Sequence, residues 1–172
     1  GVGRIADWVL LFRAGNCISG CVGVFLGAVL ALGEFPSDDN LRITTLLALS
    51  VYSFMASWNA LNDYLDLEID RVNRPDRPLP SGRISKRTAL ISIVLTGLIS
   101  LISLFFAADT ANSIGELDEW KYTILIWVIA LALLLNYEDD RWLLGLKNRG
   151  LPGNMAISLS VGLVVLYGAA GV

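Results

Sequence analysis

Long runs of apolar residues, separated by short stretches that hold nearly all the charge, set the pattern of this chain. Five runs are long enough to cross a hydrocarbon layer of about 30 Å, which takes roughly 20 helical residues at 1.5 Å each. They cover approximately residues 14–32, 43–61, 89–108, 122–137 and 151–170, and the fourth is the shortest. No strand-like alternation, internal repeat or low-complexity tract interrupts them. The expected fold is therefore all-α, a polytopic transmembrane helix bundle of about five spans. The first run carries Gly15, Gly20, Gly23 and Gly27. In water these would weaken a helix, whereas in a bilayer small residues let helices approach closely.

Composition supports the membrane reading. The chain is 55% hydrophobic, with a mean hydropathy of +0.61 and only 17% charged residues. An ordinary soluble domain needs more polar surface than this. The first run is too long for a signal peptide and lacks its flanks and cleavage site. Histidine is absent, which removes the usual neutral-pH acid/base and the commonest zinc ligand. Cys17 and Cys21 lie one turn apart in an apolar run and read as buried small residues, not as a disulfide or metal pair.

The distribution of charge gives an orientation. Eleven of the thirteen Lys and Arg fall before the first run, after the second or after the fourth. Only Arg42 and Lys121 fall on the other side, among Glu34, Asp38, Asp39, Asp109, Glu116, Asp118 and Glu119. The positive-inside rule puts the N-terminus and the loops after runs two and four in the cytoplasm.

Chemistry concentrates in residues 59–85, N-A-L-N-D-Y-L-D-L-E-I-D-R-V-N-R-P-D-R-P-L-P-S-G-R-I-S. At about 100° per residue, Asn59, Asn62, Asp63, Asp66 and Asp70 share an arc of roughly 100°, while Glu68 points away. Clustered carboxylates repel one another unless a cation sits among them. Oxygen donors without imidazole or thiol suit a hard ion such as Mg²⁺, which commonly bridges carboxylates to phosphates. Arg71, Arg74, Arg77 and Arg83 follow, and guanidinium forks match phosphate oxygens. Pro75, Pro78, Pro80 and Gly82 end the helix in a turn-rich loop. A basic loop alone commonly serves topology. Ionisable side chains on one face beside an apolar segment are costly, and mark a site.

The N-D-x-x-D-x-x-x-D stretch over residues 62–70, with N-R-P-D-R-P-L-P-S-G-R-I-S behind it, resembles the first aspartate-rich motif of UbiA-type intramembrane prenyltransferases. L-F-R-A-G-N-C at 11–17 and L-K-N-R-G-L-P-G-N at 146–154 extend the resemblance over most of the chain. Within the family it points to the archaeal digeranylgeranylglyceryl phosphate synthases, with quinone-pathway and chlorophyll-synthase-like members as neighbours. It implies Mg²⁺ held by Asn62, Asp66 and Asp70, with Asp63 nearby and all four catalytic. It implies transfer of a prenyl group, geranylgeranyl from its diphosphate, to a lipophilic acceptor such as geranylgeranylglyceryl phosphate. Arg13, Asn16, Asn59, Arg74, Arg77, Tyr137, Lys147 and Asn154 become candidate substrate contacts. Arg13 and Asn16 read equally as an interfacial anchor and a helix-packing amide. No nucleic-acid partner is expected.

The family has about nine spans of roughly 20 residues each and a second aspartate-rich motif in its C-terminal half. Residues 1–172 therefore read as a single transmembrane domain that forms the N-terminal part of a longer enzyme. Glu138, Asp139 and Asp140 precede the 146–154 segment and read as a cytoplasmic loop, not as the second motif. A CDP-alcohol phosphotransferase is the rival enzyme class, but its D-G-x-x-A-R pattern is absent. A transporter fragment would need charges near the bilayer midplane, and these lie at a helix end.

Overall fold

A computed structural model of the chain describes residues 2–113. Its regular elements there are all helices: α1 (Ile5–Phe12), α2 (Ala14–Leu32), α3 (Asp38–Leu65), α4 (Leu67–Asn73) and α5 (Lys86–Ser113). α2, α3 and α5 contain the first three expected spans. The fourth and fifth spans, the 138–141 run, Tyr137, Lys147 and Asn154 lie outside the described residues.

The two cysteines are free; Cys17 is buried as expected, whereas Cys21 is only half-buried. α1 was not expected from the sequence. It is joined to α2 by a bend of 60°. Arg13 makes that bend in the left-handed conformation (φ 51, ψ 56), which a residue with a side chain rarely adopts. Its N–H donates to the Leu10 carbonyl at 3.3 Å and closes α1; its carbonyl accepts from the Asn16 N–H at 2.9 Å and opens α2. One residue thus caps two helices. At the far end of α2, Gly33 (φ 73) supplies the left-handed cap and donates to the Val29 carbonyl at 2.8 Å.

The 28 residues of α3 extend about 42 Å at 1.5 Å each, beyond the hydrocarbon layer of about 30 Å. The helix therefore delivers polar side chains past the apolar zone without a loop. Asp66 departs from helical geometry (φ −91, ψ 12) and separates α3 from α4. The hydrogen bonding nevertheless runs through: Asp66 donates to Asn62 at 2.9 Å, Asp70 to Asp66 at 2.8 Å and Arg74 to Asp70 at 2.7 Å, N–H to carbonyl each time. Arg74 precedes Pro75, whose ring disfavours the helical region for its predecessor, and the helix stops at Asn73.

The chain divides into two compact units. The first comprises Gly1–Ile18 and Ser50–Ile102. Its core gathers Leu11 from α1, Ala60 from α3, Leu67 from α4, Leu79 and Ile84 from the following loop, and Ala89 and Ile93 from α5. The proline-rich loop is therefore part of the core: burying side chains such as Leu79 and Ile84 is worth about 1.5–3 kcal/mol each. In the same unit, Ser50 and Ser100 each donate from Oγ to the other's carbonyl, at 2.9 and 2.8 Å, and Ser57 Oγ donates to the Ile93 carbonyl at 2.8 Å. These pairs run in opposite order along the two helices, so α3 and α5 are antiparallel there. Small side chains permit that approach. Ser100→Ala is expected to cost about 0.6 kcal/mol, the average for such bonds inside membranes. Equilibrium unfolding in mixed detergent would read it, and a neutral result would show that the pair is not stabilising.

The second unit, among the described residues, comprises 19–49 and 103–113. Cys21 Sγ donates to the Ala48 carbonyl at 3.4 Å, and the rings of Phe25 and Phe35 stack at 6.0 Å. Along α2 the residues Ile18, Val22, Leu26 and Leu30 are exposed, and α5 exposes apolar side chains around much of its girth. Such surfaces suit lipid, where water would penalise them.

Candidate diphosphate and metal site

The site is built where α3 runs into α4 and the loop behind it folds back. Asn62, Asp66, Asp70 and Arg74 form one ladder of residues four apart, linked by the backbone bonds just described. Asn62 is half-buried, Asp66 exposed and Asp70 buried. At 7% exposure, the Asp70 carboxylate makes no hydrogen bond or ion pair with the described residues. It adds a like charge to the surroundings of Asp63. A carboxylate on a buried residue, open to water but beside a second acid and without a basic partner among the described residues, is a favourable place for a cation.

Asp63 stands differently. It is buried, and its Oδ1 lies 3.6 Å from Arg13 Nη2 and 3.2 Å from Arg77 Nη1. One carboxylate thus gathers an arginine from the α1–α2 bend and another from the loop. Arg74 attracts it more weakly, is exposed, and forms no ion pair with a described carboxylate. The other two arginines of this run, Arg71 in α4 and Arg83 in the loop, are committed elsewhere. Arg71 pairs with Glu68 at 2.7 Å, and Arg83 with Asp7 at 2.7 Å.

An open cavity of about 480 Å³ lies beside this cluster, lined by Val9, Leu10, Arg13, Asn16, Asp76 and Arg77 among others. Three of the expected substrate contacts, Arg13, Asn16 and Arg77, therefore share one wall system. Asn59 does not line it. It is buried, and its Nδ2 donates to the Phe12 carbonyl at 2.8 Å, satisfying an orphan acceptor at the end of α1. Its sequence spacing places it on the acidic face, but tertiary packing uses its amide as a cap.

Sequence reasoning missed Asp7 and the lining role of Asp76. Asp7 had a signal: it is the one charged residue within the apolar octapeptide I-A-D-W-V-L-L-F. Its carboxyl is held below its ordinary value near 3.8, first by the Arg4 N–H at 2.9 Å and then by Arg83. A carboxyl depressed in the folded protein stabilises it above the unfolded value, and that contribution vanishes as pH falls through the folded one. Acidification below about pH 4 is therefore expected to loosen α1, read as faster amide exchange over residues 5–12. Full protection in acid would show that the ion pair does not anchor the helix.

The donor set can be tested against a divalent ion. Among the described residues no three acidic or thiol side chains close on one point. The ladder offers only oxygen, from an amide and two carboxylates. That set fits a magnesium-type ion whose remaining positions are filled by water and phosphate.

Spanning helices, an oxygen-donor ladder at a helix end and arginines gathered around a buried acid define an integral membrane protein with a candidate anion site. The chain belongs to the UbiA prenyltransferase family, whose profile matches residues 21–172. Digeranylgeranylglyceryl phosphate synthase of Pyrococcus abyssi (strain GE5 / Orsay) is 34% identical over 165 residues, covering 90% of this chain and 58% of the relative. The Thermococcus gammatolerans protein of the same name is 38% identical over 165 residues, with the same shares covered. A solved structure concerned with digeranylgeranylglyceryl phosphate synthase in membranes matches with a TM-score of 0.67 and 26% identity. The match covers 93% of this chain and 53% of that one. This chain thus spans little more than half the length of these relatives.

Proposed function

We propose that the chain is the N-terminal part of a prenyltransferase. It transfers a prenyl group, geranylgeranyl by likeness to the relatives, from its diphosphate to geranylgeranylglyceryl phosphate within the membrane. The observation that carries this reading is the unneutralised, buried Asp70 in one ladder with Asn62 and Asp66, beside arginines held by Asp63. Asn62, Asp66 and Asp70 would hold Mg²⁺. Bound there, the ion would supply charge neutralisation for the leaving diphosphate. Arg74, exposed at the ladder's end, meets phosphate oxygens. Arg13 and Arg77, gathered by Asp63 beside the cavity, meet the same diphosphate, whose prenyl stem lies against Val9 and Leu10. Charge building on the departing diphosphate as the allylic C–O bond breaks is met by these preoriented cations. The acceptor hydroxyl oxygen then captures the allylic carbocation, its O–H bond breaks and the proton passes to the released diphosphate, while an apolar surround keeps water from competing. The skew of basic residues supports a cytoplasmic N-terminus and a cytoplasmic site.

The test uses the full-length protein in lipid nanodiscs, with labelled geranylgeranyl diphosphate and geranylgeranylglyceryl phosphate. Product that depends on Mg²⁺ and disappears with chelator is expected. No transfer to any lipophilic acceptor, with turnover of a CDP-alcohol instead, would replace the reading.

A further inference from the structure

The cavity is walled by segments far apart in sequence. The α1–α2 bend supplies Val9, Leu10, Arg13 and Asn16, and the loop after α4 supplies Asp76 and Arg77. One side chain that does not line the cavity joins the two walls. Arg83 donates from Nε to Asp7 Oδ1 on α1 at 2.7 Å, and from Nη2 to the Asp76 carbonyl at 2.7 Å. The planar fork of a guanidinium can reach both acceptors at once, which an ammonium cannot do in fixed geometry.

The partner is equally fixed. Asp7 is 6% exposed, and its second oxygen accepts the Arg4 N–H at 2.9 Å. Next to it the backbone lies against the segment that bears Arg83. Gly3 has φ 77, and a Cβ there would stand 2.7 Å from Ile84 Cγ1 and 3.4 Å from the Arg83 carbonyl oxygen. Ile84 is fully buried. The bridge therefore runs from a buried acid to a partly exposed arginine whose neighbour Ile84 is packed in the core, and its other end holds the carbonyl of the residue before Arg77. Arg77 in turn reaches Asp63, which also holds Arg13.

We propose that Asp7 and Arg83 are positioning residues: their ion pair clamps the loop at Asp76 and Arg77 against α1, and so sets the spacing of Arg13 and Arg77 for a phosphate-bearing substrate. The identity of that substrate rests on the prenyl-transfer reading; the clamp itself does not. Neither residue touches substrate. The effect of losing them falls on binding, because Arg13 and Arg77 remain present but are no longer held at one separation.

The experiment compares Arg83→Ala, Asp7→Asn and the double variant of the full-length protein in nanodiscs, by kinetics and by binding of inorganic pyrophosphate with Mg²⁺. Each single variant is expected to raise KM and weaken pyrophosphate binding about five- to tenfold, with kcat changed less than about twofold. The double variant should be no worse than either single one, because both act through one bridge. Arg83→Lys should keep the Asp7 pair but lose the Asp76 carbonyl, and so weaken binding while restoring the folded fraction. Unchanged pyrophosphate affinity in both single variants overturns the clamp, as do additive effects or a parallel fall in kcat and folded fraction that Arg83→Lys does not separate. If wild-type protein transfers no prenyl group yet the variants lose pyrophosphate affinity as described, the functional reading fails and the clamp stands.

Discussion

Asp70→Asn in the full-length enzyme is expected to lower kcat for prenyl transfer by about 10²–10³, the loss typical when one stabilising contact to a developing charge is removed. Asp66→Asn should do the same. Amide and carboxylate are nearly isosteric, so folding should be preserved; in the case of Asp70 it should improve. The residue is buried, its carboxylate has no neutralising partner among the described residues, and it adds a like charge beside Asp63. Removing its charge relieves that repulsion in the metal-free protein. A more stable but inactive Asp70→Asn variant is thus the specific signature of a cation site. Isothermal titration with Mg²⁺ and pyrophosphate, beside thermal unfolding in detergent, reads both halves. An active variant, or one destabilised by the change, would mean that Asp70 serves packing and not the ion.

Asp63→Ala should behave in the opposite way and cost stability. Its carboxylate is 5% exposed and holds two guanidinium groups, which are 28% and 32% exposed. Taking one partner out of a buried ion pair costs about 3–5 kcal/mol, because charge is left without compensation. Partial exposure of both arginines relieves some of that, so the lower end, about 3 kcal/mol, is expected. The change also frees Arg13, whose left-handed backbone is held against a cost of about 1–3 kcal/mol. KM should rise with the loss of stability. Asp63→Asn, which retains an acceptor but no charge, should fall between the two. If Asp63→Ala unfolds at the same denaturant concentration as wild type, the acid is not what gathers Arg13 and Arg77.

The contrast between these neighbours shows how far the candidate site could be read from the sequence. Asn62, Asp63, Asp66 and Asp70 share a helical face by spacing alone, and spacing could not assign them different duties. Their difference arises from what approaches: Arg13 and Arg77 reach Asp63, while no described basic group pairs with Asp70. Asn59 shows the same limit. It belongs to the acidic face by periodicity, yet a carbonyl at the end of α1, 47 positions away in sequence, takes its amide. Residue type placed Arg83 and Arg77 in one basic loop, and only the family resemblance singled out Arg77; in the structure Arg83 ties the loop to α1 and Arg77 lines the cavity.

What the residue order determined by itself, among the described residues, is where the long apolar helices lie and the end at which the chemistry collects. Both follow from local physics: an apolar run long enough to span hydrocarbon has no alternative to a helix, and charge is driven to its ends. α2, α3 and α5 contain the expected spans for that reason. Only the tertiary structure decided that the proline-rich loop is core, that Arg13 turns the chain between two helices, and that Asp7 anchors the loop carrying Arg77. These outcomes depend on contacts between residues far apart in the chain. Their strength comes from desolvation of charged partners, which no window of neighbouring residues contains.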